Sequence, residues 1–147
     1  MTYNNPDARK PLILIAEDVE SNYKLLEIIL KKEYELLWAK NGREAVDYAL
    51  EHHPDAVLMD IKMPVMDGIK ALEAIMRDTP TPVVMVSSLT RDGAEATLRA
   101  LELGAVDFVA KTAGPISNIT GIKTDILAKC RAAAKVNIAQ LFKGHGK

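Results

Sequence analysis

Four short apolar runs in this chain each end on a side chain that can take part in chemistry. Leu12 to Ala16 leads into the acid pair Glu17 and Asp18, and Ala56 to Met59 ends in Asp60. Pro82 to Val86 ends at Ser87 and Ser88, and Val106 to Ala110 delivers Lys111. Runs of this kind, with almost no polar group, fit strands buried on both faces of a parallel sheet. The C-terminal edges of such strands lie side by side, and ligands and chemistry collect there. Carboxylates a few Å apart repel by ~4 kcal/mol at an effective dielectric near 20, so a positive group must sit between them. Oxygen donors without His or Cys select a hard cation, and Mg2+ takes one or two carboxylates while keeping waters and a phosphate oxygen. Lys111 can reach a phosphate oxygen as a point charge, and Ser87 can donate a hydrogen bond to another. Asp60 is then the candidate nucleophile for phosphoryl transfer, which depends on in-line positioning and on neutralised equatorial oxygens. Singly, each residue has a plainer reading. Asp60 caps the turn before Pro64, Glu17 and Asp18 are anions at a helix N-terminus, Ser87 is a cap and Lys111 is solvated. Their joint placement at one edge favours the site.

The intervening stretches must hold those strand ends together. A polar lead, residues 1–10, is expected to be flexible, and the fold starts after Pro11. A helix is expected from about Glu20 to Lys32, with Tyr23, Leu25, Leu26, Ile28, Ile29 and Leu30 on its inner face. Glu35 to Ala39 reads as a short strand, Asn41-Gly42 as a turn, and Arg43 to His52 as a helix carrying Ala45, Val46, Ala49 and Leu50 inward. After Pro64 and the Asp67-Gly68 turn, Ile69 to Arg77 has apolar residues at helix spacing, and Pro80 and Pro82 bracket its exit. Arg91 to Leu103 is an alanine-rich helix stopped by Gly104. A closing helix from about Thr120 to Phe142 places Ile122, Ile126, Leu127, Cys130, Ala133, Ala134, Ile138 and Leu141 on its apolar side, and residues 143–147 form a flexible tail. Five strands alternating with five helices predict one α/β domain over residues 11–142, a doubly wound parallel sheet with helices on both faces.

Composition narrows the function classes. At 147 residues, 48% hydrophobic and 27% charged, the chain has the make-up of a soluble globular domain. A net charge of −1 provides no basic footprint for nucleic acid or an anionic membrane. Cys130 is the only cysteine, which rules out an internal disulfide and a Cys-rich zinc site. His52-His53-Pro54 reads as a helix C-terminus, where cationic ends are favoured, in preference to a metal site. No apolar stretch approaches the ~20 residues of a membrane span, and a cytoplasmic protein is expected.

The acid pair Glu17 and Asp18, the segment from Met59 to Gly68, Ser87, and Phe108-Val109-Ala110-Lys111 closely resemble the receiver domain of two-component response regulators. The resemblance spans about Pro11 to Phe142. It implies a flavodoxin-like fold that takes a phosphoryl group from a histidine kinase, or a phosphotransfer protein, onto Asp60 with Mg2+ as cofactor. It further implies that Mg2+ is held by Asp18 directly, by Glu17 through water, by Asp60 and by the backbone carbonyl of Lys62. Ser87 and Lys111 would follow the phosphoryl group. Phe108 would be the switch aromatic that fills the space Ser87 vacates, so that the surface of the fourth helix and fifth strand changes. The resemblance implies a phosphoacceptor that phosphorylates and dephosphorylates itself, with a separate effector or a second copy as the expected recipient of its signal.

The second half, from Pro82 through Thr90 and Gly93 to Val109, looks like the receiver of chemotaxis protein-glutamate methylesterases. The first half, Ile15 to Asn22 and Asp60 to Pro64, looks more like receivers attached to hybrid sensor kinases, as in a natural intermediate or a fusion of the two. No methylesterase domain is expected, because no Gly-rich nucleophile loop appears. Thr112 stands where the family usually has Pro, often after a cis bond, so a trans bond and a differently placed loop are expected after Lys111. The resemblance implies that Lys62 and Leu89 flank the phosphoryl position. Apolar Leu89 cannot orient an attacking water, so Leu89→Glu is expected to shorten the half-life of the phosphorylated protein, measured by loss of label. Other classes remain open. A haloacid-dehalogenase-like phosphatase would need an acid where Lys62 stands, a flavin-binding flavodoxin would need a first loop without the repelling Glu17 and Asp18, and an inactive receiver-like interaction module would ignore phosphodonors.

Overall fold

The computed structural model describes residues 10–88, 90–111 and 119–136, apart from the side chains of residues 111 and 119–121. Five strands, β1 (Leu12–Ala16), β2 (Glu35–Ala39), β3 (Ala56–Asp60), β4 (Val83–Ser88) and β5 (Asp107–Lys111), form one parallel sheet in the order β2-β1-β3-β4-β5. Five helices alternate with them: α1 (Glu20–Leu30), α2 (Gly42–His52), α3 (Gly68–Asp78), α4 (Arg91–Glu102) and α5 (Ile119–Ala134). This is the flavodoxin-like, doubly wound arrangement.

Strand alternation sorts the core into two layers. Leu14, Ala16, Val57, Met59, Val83 and Met85 pack with buried residues of α2, α3 and α4, such as Ala45, Leu72, Ile75 and Ala100. Their neighbours Ile13, Ile15, Ala56, Leu58, Val84 and Val86 pack with Leu26, Leu30, Ile126 and Cys130 of α1 and α5. Because both faces are covered, β1, β3 and β4 need no polar position before their C-terminal ends, which explains the apolar runs that lead up to Asp60 and Ser87. Helix starts are set by side chains. Asn41 accepts the Glu44 N–H at 2.8 Å, Asp67 the Lys70 N–H at 2.9 Å, and Thr90 the Gly93 N–H at 3.0 Å. Gly104, at φ 118°, turns the chain out of α4 where an L side chain would be strained.

Several expectations shift. Ile28 is 64% exposed, because it lies roughly 160° around the axis from the centre of the α1 buried stripe at ~100° per residue. Leu50 is 42% exposed at the edge of the α2 stripe. Strand β4 takes in Ser87 and Ser88 themselves, which pair with Ala110 and Lys111. Helix α5 ends at Ala134, well before Phe142, where Lys135 and Val136 donate to Ala132 and Ala133 in tightened i→i+3 bonds. The lead before Lys10, the tail, Ile138, Leu141, Leu89 and Thr112 lie outside the described residues.

Helix α5 is fastened to the turn between α1 and β2 as Arg131 forks onto Glu33, with Nε 2.9 Å from Oε1, and this hydrogen bonding holds the Glu33 carboxyl below its usual range. Beside it, burial pushes the Cys130 thiol up to about 12 from its usual 9.0. The folded state keeps that proton where the unfolded chain loses it, so the stability it contributes is intact below pH 9.0 and is lost as pH rises toward about 12. Native protein is expected to resist iodoacetamide at about pH 8 and to react once urea unfolds it. Equal alkylation rates in both states would contradict the buried thiol.

Candidate functional site

Register alone brings the acids together. Ala16, which precedes Glu17, pairs with Met59, which precedes Asp60, so Glu17 and Asp60 leave adjacent strands side by side. Glu17, Asp18 and Asp60 each offer a carboxylate oxygen, and these lie within 4.8 Å of one another. Glu17 and Asp60 are 1% and 4% exposed, while Asp18 faces solvent.

The loop that carries the pair is tied at several points. The Glu17 N–H donates to the Ala39 carbonyl at 3.0 Å, and its carbonyl accepts the Trp38 indole N–H at 2.7 Å. Its Oε2 accepts the Val19 N–H at 3.1 Å, just before α1 begins. After Asp60 the chain turns sharply. Val65 has φ 68° and is 82% exposed, at the centre of a tight turn in which the Met66 N–H donates to the Pro64 carbonyl at 2.7 Å. A β-branched residue in that region is strained, and here the strain sits beside a cluster of acids.

The donor set fits a hard divalent cation. It is oxygen-only, and ligands on opposite sides of Mg2+ lie ~4.2 Å apart, so a spread of up to 4.8 Å leaves room for one carboxylate to ligate through water. Lys62 lines a cleft of about 70 Å³ together with Asp60, Ser87, Asp92 and Gly93.

Ser87 and Phe108 lie on either side of a second cavity. Odd-numbered positions of β4 face α4, and the Ser87 hydroxyl, 4% exposed, donates to the Gly93 carbonyl at 2.9 Å. Phe108 is 38% exposed. Lys129 of α5 lies 5.1 Å from its ring centroid, donates to its carbonyl at 2.7 Å and pairs with Asp125 at 3.2 Å. Between them is a largely apolar cavity of about 320 Å³, lined by Ser87, Thr97, Leu98, Leu101, Phe108 and Ala110.

The structure therefore brings Glu17, Asp18 and Asp60 into one cluster, places Ser87 and Lys62 in the adjoining cleft and puts Phe108 across a cavity from Ser87. Lys111 ends β5 beside Ser88. Sequence reasoning missed Asp92 and Trp38. An acid in the first turn of α4 looks like an ordinary helix-dipole partner, and nothing in an alternation pattern tells where an indole N–H points.

Residues 13–121 match the response regulator receiver domain. The chain belongs to that family. This receiver is 48% identical over 127 residues to protein-glutamate methylesterase/protein-glutamine glutaminase 2 of Carboxydothermus hydrogenoformans, covering 84% of the present chain and 36% of that one. A match of that length takes in the first half as well as the second. The receiver spans about a third of the length of the curated relatives it matches. The crystal structure of the response regulator domain of Thermotoga maritima CheB is similar, with a TM-score of 0.78 and 39% identity over 88% of this chain and 99% of that one. The receiver domain of a Pseudomonas aeruginosa sensor histidine kinase, solved with a magnesium ion in its active site cleft, shares the fold at a TM-score of 0.73 and 23% identity, over 87% and 100% of the two chains. Among the described residues, no helix of the receiver is long and apolar enough to cross a membrane.

Proposed function

We propose that this receiver accepts a phosphoryl group on Asp60 from a phosphohistidine of a histidine kinase or phosphotransfer protein, and signals by rearranging the face formed by α4 and β5. The observation that carries this reading is the convergence of Glu17, Asp18 and Asp60 on one point at the strand edge, in a chain of this family. An Asp60 oxygen attacks phosphorus, the O–P bond forms as the N–P bond breaks, and the departing imidazole keeps the electron pair and is reprotonated from solvent. When bound by Glu17, Asp18, Asp60 and the Lys62 carbonyl, Mg2+ supplies positive charge at the transferring oxygens. Rigid β3 aims the Asp60 carboxylate, and Lys111, at the end of β5 beyond β4, takes an equatorial oxygen.

Ser87 couples this chemistry to the surface. Donating to a phosphoryl oxygen requires its hydroxyl to leave the Gly93 carbonyl, and Phe108 then turns from its place beside Lys129 into the cavity of about 320 Å³. A space of ~150 Å³ already admits benzene, so the ring has room. Similarity to the receivers of methylesterases supports a role in chemotaxis-type signalling in the cytoplasm, with a separate effector, a linked domain or a second copy reading the changed face.

Acetyl phosphate labelling read by intact mass tests the reading. One phosphoryl group should add in the presence of Mg2+ and none with a chelator. No uptake with Mg2+, or equal uptake without it, would overturn the proposal.

A further inference from the structure

Trp38 is the only tryptophan in the chain, and it lies half-buried on the edge strand β2. Its indole N–H donates at 2.7 Å to the carbonyl of Glu17, at the short end of the N–H···O range. That carbonyl belongs to the peptide joining Glu17 to Asp18. The preceding peptide is fixed too, because the Glu17 N–H donates to Ala39, the residue after Trp38. Two consecutive residues of β2 thus hold both sides of Glu17, and rotation of the Glu17-Asp18 peptide plane would break the indole bond. The direction in which the Asp18 side chain leaves the backbone follows from that plane.

The indole is itself held. Tyr23 of α1 stacks on it with ring centroids 4.3 Å apart and planes 6° apart, and Lys40 Nζ lies 4.9 Å from the ring centroid. Register supplies the rest, since Trp38 pairs with Ile15, two residues before Glu17. A side chain packed on its faces, with a single donor aimed at the backbone of the acid pair, has the form of an outer partner that orients a metal ligand.

We propose that Trp38 is a positioning residue for the cation site, its indole N–H setting the Glu17-Asp18 peptide so that Asp18 meets the ion held with Glu17 and Asp60. The inference rests on the receiver reading of that site. It also makes Trp38 a built-in reporter, because an ion that draws on Asp18 perturbs the peptide to which the indole is bonded.

The decisive substitution replaces Trp38 by benzothienylalanine, which keeps the bicyclic shape and the stack but puts sulfur where the N–H was. Calorimetric titration with MgCl2 is expected to show affinity about 10-fold weaker than wild type, the scale seen when outer partners of metal ligands are lost. The urea midpoint in Mg2+-free buffer should stay close to wild type, and Tyr23→Leu, which retains the donor, should weaken Mg2+ binding less. Wild-type protein labelled with 15N gives a second readout without substitution, in which the Trp38 indole resonance is slow to exchange with solvent and shifts on adding Mg2+. Equal Mg2+ affinity in the isostere, or an indole resonance indifferent to Mg2+, overturns the positioning role and leaves the receiver reading intact. Wild-type protein that binds no Mg2+ and takes no phosphoryl group overturns both.

Discussion

Replacing Asp60 with Asn is expected to lower phosphoryl uptake by more than ~10³-fold, the scale of deleting a nucleophile. Asparagine keeps the size and one acceptor oxygen at the end of β3, so packing around this buried position changes little. What goes is the anionic oxygen that attacks phosphorus, and with it one of the carboxylates clustered within 4.8 Å. Two measurements should therefore move together. Acetyl phosphate should add no mass to the variant, and Mg2+ should bind more weakly. Asp67→Asn is the matched control, because Asp67 is close in sequence but serves as the cap of α3, a role Asn fills equally well. The control should be labelled at the wild-type rate. Labelling of the Asp60 variant at a comparable rate would move the acceptor to another residue and remove the basis of the proposed function.

The parts of this site that sequence reveals are those decided by topology. A parallel sheet must put the ends of β1, β3, β4 and β5 at one edge, so Glu17, Asp18, Asp60 and Ser87 could be grouped without knowing a single side-chain torsion. The bounds of β1, β2 and β3 were legible for a related reason, since each apolar or half-apolar run is cut off by charged or turn residues. Helix faces were less legible. Ile28 and Leu50 are apolar by composition, but only the angle around the axis decides what is buried, and Ile28 lies opposite the buried stripe of α1 while Leu50 sits at the edge of that of α2. Strand order is hidden from periodicity altogether, and only the flavodoxin-like fold implied by the family resemblance bears on it. The outward pose of Phe108, with Lys129 against its ring, depends on α5 lying alongside β5, a contact between residues 21 apart that no local pattern carries. The Trp38 bond to Glu17 is hidden in the same way, because it needs the register of β2 against β1 as well as one rotamer of the indole.

Gly68→Ala is expected to be severely damaging for a single-methyl change, costing about 3–5 kcal/mol where most substitutions cost 0.5–3. A Cβ at this position would collide with the carbonyl oxygen of Asp60 and lie 2.9 Å from Ile61 Cα and 3.0 Å from the Asp60 carbonyl carbon. All three are backbone atoms, so no side chain can swing aside to relieve the overlap. The approach is close because the turn through Val65 brings the start of α3 back onto the end of β3, where the Gly68 N–H donates to the Ile61 carbonyl at 2.7 Å. Making room means pulling α3 away or shifting the main chain that carries Asp60. A loss of that size should lower Tm by about 10–15 °C in a domain of this length. Leu72→Ala separates general damage from local damage. Leu72 is fully buried in the layer under α3, and its truncation should cost a similar ~2–5 kcal/mol while leaving the strand end in place. At a temperature where both variants are folded, the Leu72 variant should take up phosphoryl at near the wild-type rate, and the Gly68 variant should be slowed at least ~10-fold, because in-line attack tolerates little displacement of the nucleophile. A Gly68 variant that melts within a few degrees of wild type would show that the two backbones are not in contact.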